Sequence, residues 1–421
     1  MPTTRGWSLP RRGFLLGASA FAGLFGGEAG AAPLKAPRRR ELTVGFAIAR
    51  TDVRPVAQLT TFEIAIELES PAEAVRIGFA NVVPDAYGLQ GVAVAEASAG
   101  QPWLARPGSA WRYLGFGGTA APALRAPQPV TVPGNRVAAA GVPNVPAVLW
   151  SDWLPYRTTP GVRPLMLFRV LVPAQQLSQT LVGWPERSQD PLPSFPPRIR
   201  LARELPGDFV TDLQPPPPVG SKAGYAPLFA VQYRSAVPGV QIVVDGDSHP
   251  SQWNTFAQLA AMQLSTPASP IAVWNVAWGG GSSRLFWPIM EMAIDVARPS
   301  ISVIEGWTAN DGPKPEAWEH YVQLVQQTAE HTRRVGGVPI VFTAMPRNLF
   351  ATPLLPQWQQ YNRDLARRVP GALIFDLDQV VEDPAQPGDW RPGFSNDKIH
   401  PNLAANVAMV PAFDRILQPL L

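Results

Sequence analysis

Four histidines occur in the chain, His249, His320, His331 and His400, and the surroundings of His400 best suit a proton-transfer base. His400 stands in Asp397-Lys398-Ile399-His400-Pro401-Asn402. Asp397, three residues earlier, is near enough within one turn to accept from one ring nitrogen. That would leave the other nitrogen facing a nucleophile. The candidate nucleophile is Ser248 of Gly246-Asp247-Ser248, close behind the apolar run that ends at Val244. A serine there is presented at a strand-to-helix turn, although an Asp-Ser pair alone equally suits a helix cap. His249 follows the serine directly, and its side chain points away from the serine's, which makes it a poor base. His320 and His331 fall on a long helical stretch after Pro315, where an exposed or satisfied histidine is the simpler reading. The Gly-x-Ser-x-Gly elbow is absent, because Pro250 stands in place of its second glycine.

Acyl transfer also needs donors for the oxyanion of a tetrahedral intermediate. Asn275-Val276-Ala277-Trp278-Gly279-Gly280-Gly281 ends a second apolar run, and a glycine there lets a backbone N–H approach substrate. Asn310, in Gly306-Trp307-Thr308-Ala309-Asn310-Asp311, follows a third run and can donate from its amide. Singly, each reads equally well as a turn residue. Their joint appearance at successive strand ends is what points to chemistry.

Strands must hold these residues. After Gly239 the apolar runs Ile242–Val244, Ile271–Ala277, Ile301–Ile304, Val338–Phe342 and Ala372–Phe375 read as buried parallel strands. Between them lie helical stretches at Gln252–Leu264, Arg284–Val296, Pro315–Arg334 and Gln357–Arg368, with a last one at Ala404–Leu417. Such alternation predicts an α/β domain over 237–421, with a parallel sheet covered on both faces. Its ligands are expected beyond the carboxyl ends of the strands. From 41 to 173 the period is two: Phe62, Ile64, Ile66 and Leu68 alternate with Glu63, Ala65, Glu67 and Glu69. That stretch predicts an antiparallel all-β sandwich, jelly-roll-like. The Pro-rich stretch 174–236 reads as an irregular connection between two domains.

Gly-Asp-Ser, a post-strand glycine, Asn-Asp and a late Asp-x-x-His occur in the order found in the SGNH (GDSL-type) hydrolase superfamily, which the chain resembles over about Val240 to Leu421. The resemblance implies a flavodoxin-like three-layer α/β/α domain. It implies Ser248 as nucleophile, His400 as base and Asp397 as the base's partner. Oxyanion donors would be the Ser248 N–H, the Gly280 N–H and the Asn310 side chain. Gly280 stands five residues after Asn275, as in that family's second block; Gly279 or Gly281 are the alternatives. Two departures stand out: two extra residues separate Gly306 from Asn310, and His249 replaces the hydrophobic residue common after the serine. Val75–Asn81 and Ser151-Asp152-Trp153-Leu154-Pro155 resemble, more weakly, the β-sandwich module that precedes such domains in some secreted carbohydrate esterases.

The expected reaction is hydrolysis of a carboxylic ester through an acyl-enzyme, with neither metal nor organic cofactor. Trp278, Trp287 and Trp307 flank the glycine and asparagine blocks and are candidate platforms for a sugar ring, although a tryptophan in a sheet protein is as often core packing. Together with export and the sandwich they favour an acetyl ester on an extracellular or cell-wall saccharide. Lipase, arylesterase or thioesterase activity stays open, as does an inactive saccharide-binding protein. Arg11 and Arg12 precede an apolar stretch from Phe14 to Phe25, and Ala29-Gly30-Ala31 then offers a cleavage site. Residues 1–32 thus read as a twin-arginine-type signal peptide, too short to span a bilayer, that engages the twin-arginine export machinery and directs the protein to the periplasm or beyond. Without them the chain loses Arg5, Arg11, Arg12 and Glu28 and is close to neutral. Arg38-Arg39-Arg40 is then expected as a solvated tail and not as a nucleic-acid patch. The chain has no cysteine, so packing alone must hold the fold.

Overall fold

The computed structural model describes residues 34–45, 54–81, 85–117, 127–133, 147–177, 180–181, 198–211, 215–217, 225–251, 255–312, 315–349 and 351–421. The expected leader, residues 1–32, lies outside them. Lys35–Leu421 forms one compact unit.

The period-two stretch gives strands β1 (Arg39–Gly45), β2 (Thr60–Glu67), β3 (Ala72–Asn81), β4 (Gly91–Ser98) and β5 (Leu165–Val172), and a further strand, β6 (Ile199–Pro206), follows them. An antiparallel sheet runs β6-β2-β5-β4, with Phe168 paired to Ile64 on one side and Val94 on the other. Alternation sends Phe62, Ile64 and Ile66 to one face, where they meet Leu42 and Val44 of β1 and Val75, Ile77 and Phe79 of β3. The opposite, Glu63-bearing face holds a buried ion triad: Glu63 takes Arg169 Nε at 2.6 Å and Arg203 Nε at 2.5 Å.

The expected division into a sandwich, a connection and a catalytic domain needs correction in two places. β6 falls inside the stretch read as irregular and is the edge strand of the antiparallel sheet. Strand β7 (Leu228–Val244) belongs to both halves. Its first part runs antiparallel to β1 and β3, and its last part, Val240–Val244, runs parallel to β8 (Ile271–Asn275). The bend between them falls where β1 jumps from pairing with Gly239 to pairing with Arg234. Pro238 there cannot donate to a ladder. The buried Gln241 side chain fills the corner and bonds both the N–H and the C=O of Thr43. The antiparallel strands β1 and β3 therefore share one sheet with the parallel strands. The arginine run is corrected too: Arg39 and Arg40 open β1, and Arg39 donates to Val335 O at 2.8 Å.

The other parallel strands are β9 (Ile301–Glu305), β10 (Val338–Phe342) and β11 (Leu373–Phe375). Helices α1 (Phe256–Leu264), α2 (Ser283–Ala297), α3 (Pro315–Arg334), α4 (Leu355–Arg368) and α5 (Leu403–Leu417) alternate with them. Along β7, Ile242 and Val244 face α1 and α5 through Phe256, Met409 and Phe413, whereas Val243 faces α2, α3 and α4 through Phe286, Tyr321 and Trp358. The result is three layers. The parallel strands lie in the order β8-β7-β9-β10-β11, which counts 2-1-3-4-5 from the first of them. This is the flavodoxin-like order, and its switch point lies between β7 and β9. Among the described residues no helix is long and apolar enough to cross a membrane.

Candidate active site

Every candidate block lies just past the carboxyl end of a parallel strand or ahead of the last helix. Ser248 follows β7 in a turn closed by Ser251 N–H to Asp247 O at 3.2 Å. It does not sit on the first turn of α1, which begins at Phe256 behind its own Thr255 cap. Gly246 makes the close approach possible. Its φ is +142°, and a Cβ there would come within 2.5 Å of Glu305 Oε2 and 2.6 Å of Pro250 Cγ. Neither can give way cheaply.

The half-buried Ser248 Oγ lies 2.8 Å from His400 Nε2 across 152 residues of sequence. His400 Nδ1 lies 2.7 Å from Asp397 Oδ2. The other oxygen of Asp397 accepts the Ile399 N–H at 2.9 Å and the His400 N–H at 2.8 Å. This closed loop, with Lys398 at φ +63°, fixes the carboxylate before the imidazole needs it. Burial works to raise the Asp397 carboxyl, but the bonds from the His400 ring and from the two N–H groups outweigh it and hold it below its ordinary range. Burial lowers His400 below its usual value despite the pull of Asp397, so the ring is the neutral acceptor at pH 7.

The second and third blocks are brought to the same rim. Asn275 ties β8 to the nucleophile turn, donating to Pro250 O at 2.6 Å, and Trp278 N–H donates to Gly246 O at 2.9 Å. Among the three glycines, Gly279 approaches Ser251 Oγ, Gly280 lies on an exposed turn at φ +74°, and Gly281 turns back to Trp278 O. Asn310 Nδ2 donates to Gly281 O at 2.9 Å and, at 3.3 Å, to Asp247 Oδ2. Its neighbour Asp311 accepts the Ser283 N–H at the start of α2.

The tryptophans are not where a sugar would need them. Trp278 and Trp307 are buried in the core between the sheet and α2–α4. Trp287 is half-buried, and its Nε1 donates to Thr328 of α3 at 3.0 Å. An aromatic at a strand end carries the same sequence signature whether it faces a cleft or the core. Of the remaining histidines, His320 is exposed, and His331 bridges Glu291 and Asp295 between α2 and α3.

A buried charged cluster under Ser248 was not visible from the sequence. Asp247 accepts from Thr308 Oγ1 at 2.6 Å, from Arg347 Nη2 at 2.6 Å and from the His249 N–H at 2.8 Å. Burial would raise Asp247, but Arg347 beside it, then His249, carry it well below the usual carboxylate range. Burial raises Glu305, whose Oε2 accepts the Asp247 N–H at 2.7 Å. Asp247, His249 and Glu305 are of metal-ligating types and lie close together. Arg347 Nη2 stands 2.6 Å from Asp247, 2.7 Å from His249 Nδ1 and 3.7 Å from Glu305, so the cation among them is the guanidinium. Nothing in the spacing flags Arg347, which lies a hundred residues from its partner.

No family model matches the chain, and no curated protein matches it. Solved structures similar to it include a putative acylhydrolase from Bacteroides fragilis NCTC 9343, at 16% identity, covering 42% of this chain and 86% of that one, TM-score 0.35. Another is TesA, at 21% identity, covering 43% of this chain and 99% of that one, TM-score 0.34. A third is a variant of Axe2, an acetyl xylan esterase from Geobacillus stearothermophilus, at 17% identity, covering 42% and 93%, TM-score 0.32. The chemistry of this site is read from its own geometry.

Proposed function

We propose that this chain is a serine ester hydrolase of the SGNH type, with Ser248 as nucleophile, His400 as base and Asp397 as its orienting partner. One observation carries the proposal: hydroxyl, imidazole and carboxylate stand in sequence at 2.8 and 2.7 Å, beyond the strand ends where such a sheet binds ligands. His400 takes the proton of Ser248 as Oγ attacks the ester carbonyl, and returns it to the departing alkoxide. The same ring then activates water, which attacks the acyl-enzyme, releases the acid and restores the serine.

The oxyanion would be held by the Ser248 N–H, the Gly280 N–H with Gly279 as the alternative, and the Asn310 amide; the Gly281 N–H is committed to Trp278 O. Asn310 can serve because its contact to Asp247 is the longest of that oxygen's three, 3.3 Å against 2.6 Å from Thr308 and from Arg347. An alkoxide can capture that hydrogen while Asp247 stays satisfied.

As substrate we propose a short acyl ester, acetyl first, on an exported or cell-wall saccharide. The leader and the antiparallel module support this; the buried tryptophans withdraw the stacking argument. Fluorophosphonate labelling tests the reaction class: wild type takes the label and Ser248→Ala does not. An unlabelled wild type that still binds polysaccharide would instead mean a binding protein. An acyl-length series of nitrophenyl esters, run beside acetylated polysaccharides, tests the substrate. Preference for butyrate or longer removes the acetyl reading and leaves the serine mechanism standing.

A further inference from the structure

Two neighbouring residues of the nucleophile turn grip two neighbouring residues of the base loop. Ser248 Oγ meets His400 Nε2 at 2.8 Å, and His249 Nε2 meets the Ile399 carbonyl at 2.8 Å. The two imidazoles lie 5.7 Å apart, edge to face. The His249 side chain is fully buried beneath the site. Resting on the esterase reading, we infer that His249 and Arg347 are positioning residues that clasp the base loop to the nucleophile.

The hydrogen assignments follow from what the partners can do. A carbonyl only accepts, so His249 Nε2 carries the hydrogen. A guanidinium only donates, so His249 Nδ1, 2.7 Å from Arg347 Nη2, presents a lone pair. His249 is thereby held in one tautomer, neutral and with Nε2–H. Without the arginine, the Asp247 carboxylate, 3.3 Å from Nδ1, would draw a proton to that nitrogen. A second imidazolium would then form beside His400 and oppose the charge His400 must acquire when it takes the serine's proton. Arg347 itself is held by the buried Asp247, and the exposed Asn310 bonds that same carboxylate, so one cluster orients both the base loop and an oxyanion donor. The base loop needs this hold from below: Ile399 is exposed, and the Asp397 side chain is 53% exposed.

His249→Leu removes the donor and keeps an apolar side chain of similar bulk; His249→Gln restores an N–H at similar reach. With nitrophenyl acetate, the Leu variant should lose about 10- to 100-fold in kcat with KM within about threefold, as expected for a misplaced base. Its Ser248 should still reach full fluorophosphonate labelling, only more slowly, which separates misplacement from a lost active fraction. The Gln variant should recover most of kcat. Wild-type kcat in the Leu variant, or equal losses in both, overturns the clasp. Should the Leu variant fail to fold, nitrogen NMR of wild-type His249 decides: Nε2–H and neutral near pH 7 supports the clasp, and Nδ1–H or an imidazolium overturns it. A wild type that neither turns over ester nor takes label sinks the esterase reading alone, and the tautomer measurement still tests the clasp.

Discussion

A serine hydroxyl attacks an ester only when something removes its proton at the moment of attack, and the site makes that demand at single residues. Ser248→Ala should cost about 10⁴-fold or more in kcat, since no other group replaces the nucleophile. In the proposed reaction His400 works as the neutral ring, and burial lowers it below its ordinary value. The acid limb of kcat/KM should therefore fall below pH 6.5, activity being lost as pH drops through the folded value; a limb above 6.5 would contradict this environment. His249 adds a stability effect. Burial first, then Arg347, pushes it down from 6.5 to about 4, so between those values the unfolded chain binds a proton that the folded chain refuses. Stability should be full above 6.5 and fall by about 3 kcal/mol on the way to 4, a slope that His249→Gln removes in urea titrations. The proposed triad was legible because Asp397 and His400 are three residues apart and few other residues suit their roles. Arg347 and Glu305 were not, because only the sheet topology brings them to Asp247.

At the scale of elements, legibility followed how local the forces are. The span Pro315–Arg334 was readable to its ends, and the other helices to within a few described residues, because a 3.6-residue stripe is set by the helix's own packing face. β6 and the first part of β7 were not readable. Their partners are β2, β1 and β3, far away in sequence, and both faces of β7 are covered, which erases the alternation that marks a half-buried strand. The elements also set what the site tolerates. Gly246→Ala puts a methyl against Glu305 and Pro250 at the end of β7. It should destabilise by about 1–3 kcal/mol and also displace Ser248, so both the urea midpoint and kcat should fall. Glu63, buried on β2 between two arginines, has no such tie to the chemistry. Glu63→Ala should cost about 3–5 kcal/mol by leaving two buried cations without their carboxylate, while the kcat of the folded fraction stays at the wild-type level.

At the scale of the whole molecule, the chain is organised around a sheet that changes character along one strand. Trp274 of β8 packs against Phe229 of the antiparallel part of β7, with ring centroids 5.4 Å apart, and against Trp150 at 5.9 Å. Gly45 of β1 is tight against the same indole, since a Cβ there would overlap Trp274 Cδ1. A fragment beginning at residue 237 keeps every proposed catalytic residue yet removes all three of these neighbours. It also removes Thr43, whose backbone groups satisfy the buried Gln241 amide. Stripping one face of Trp274 and orphaning Gln241 leaves exposed apolar surface and an unpaired buried polar group at the edge of the parallel sheet. The fragment should therefore be insoluble or lack cooperative melting. The chain from residue 35 onward should unfold in urea as one transition, with far-ultraviolet circular dichroism and tryptophan fluorescence coinciding. Two separated transitions, or a soluble and active 237–421 fragment, would show that the antiparallel strands are an appendage and not half of the catalytic fold.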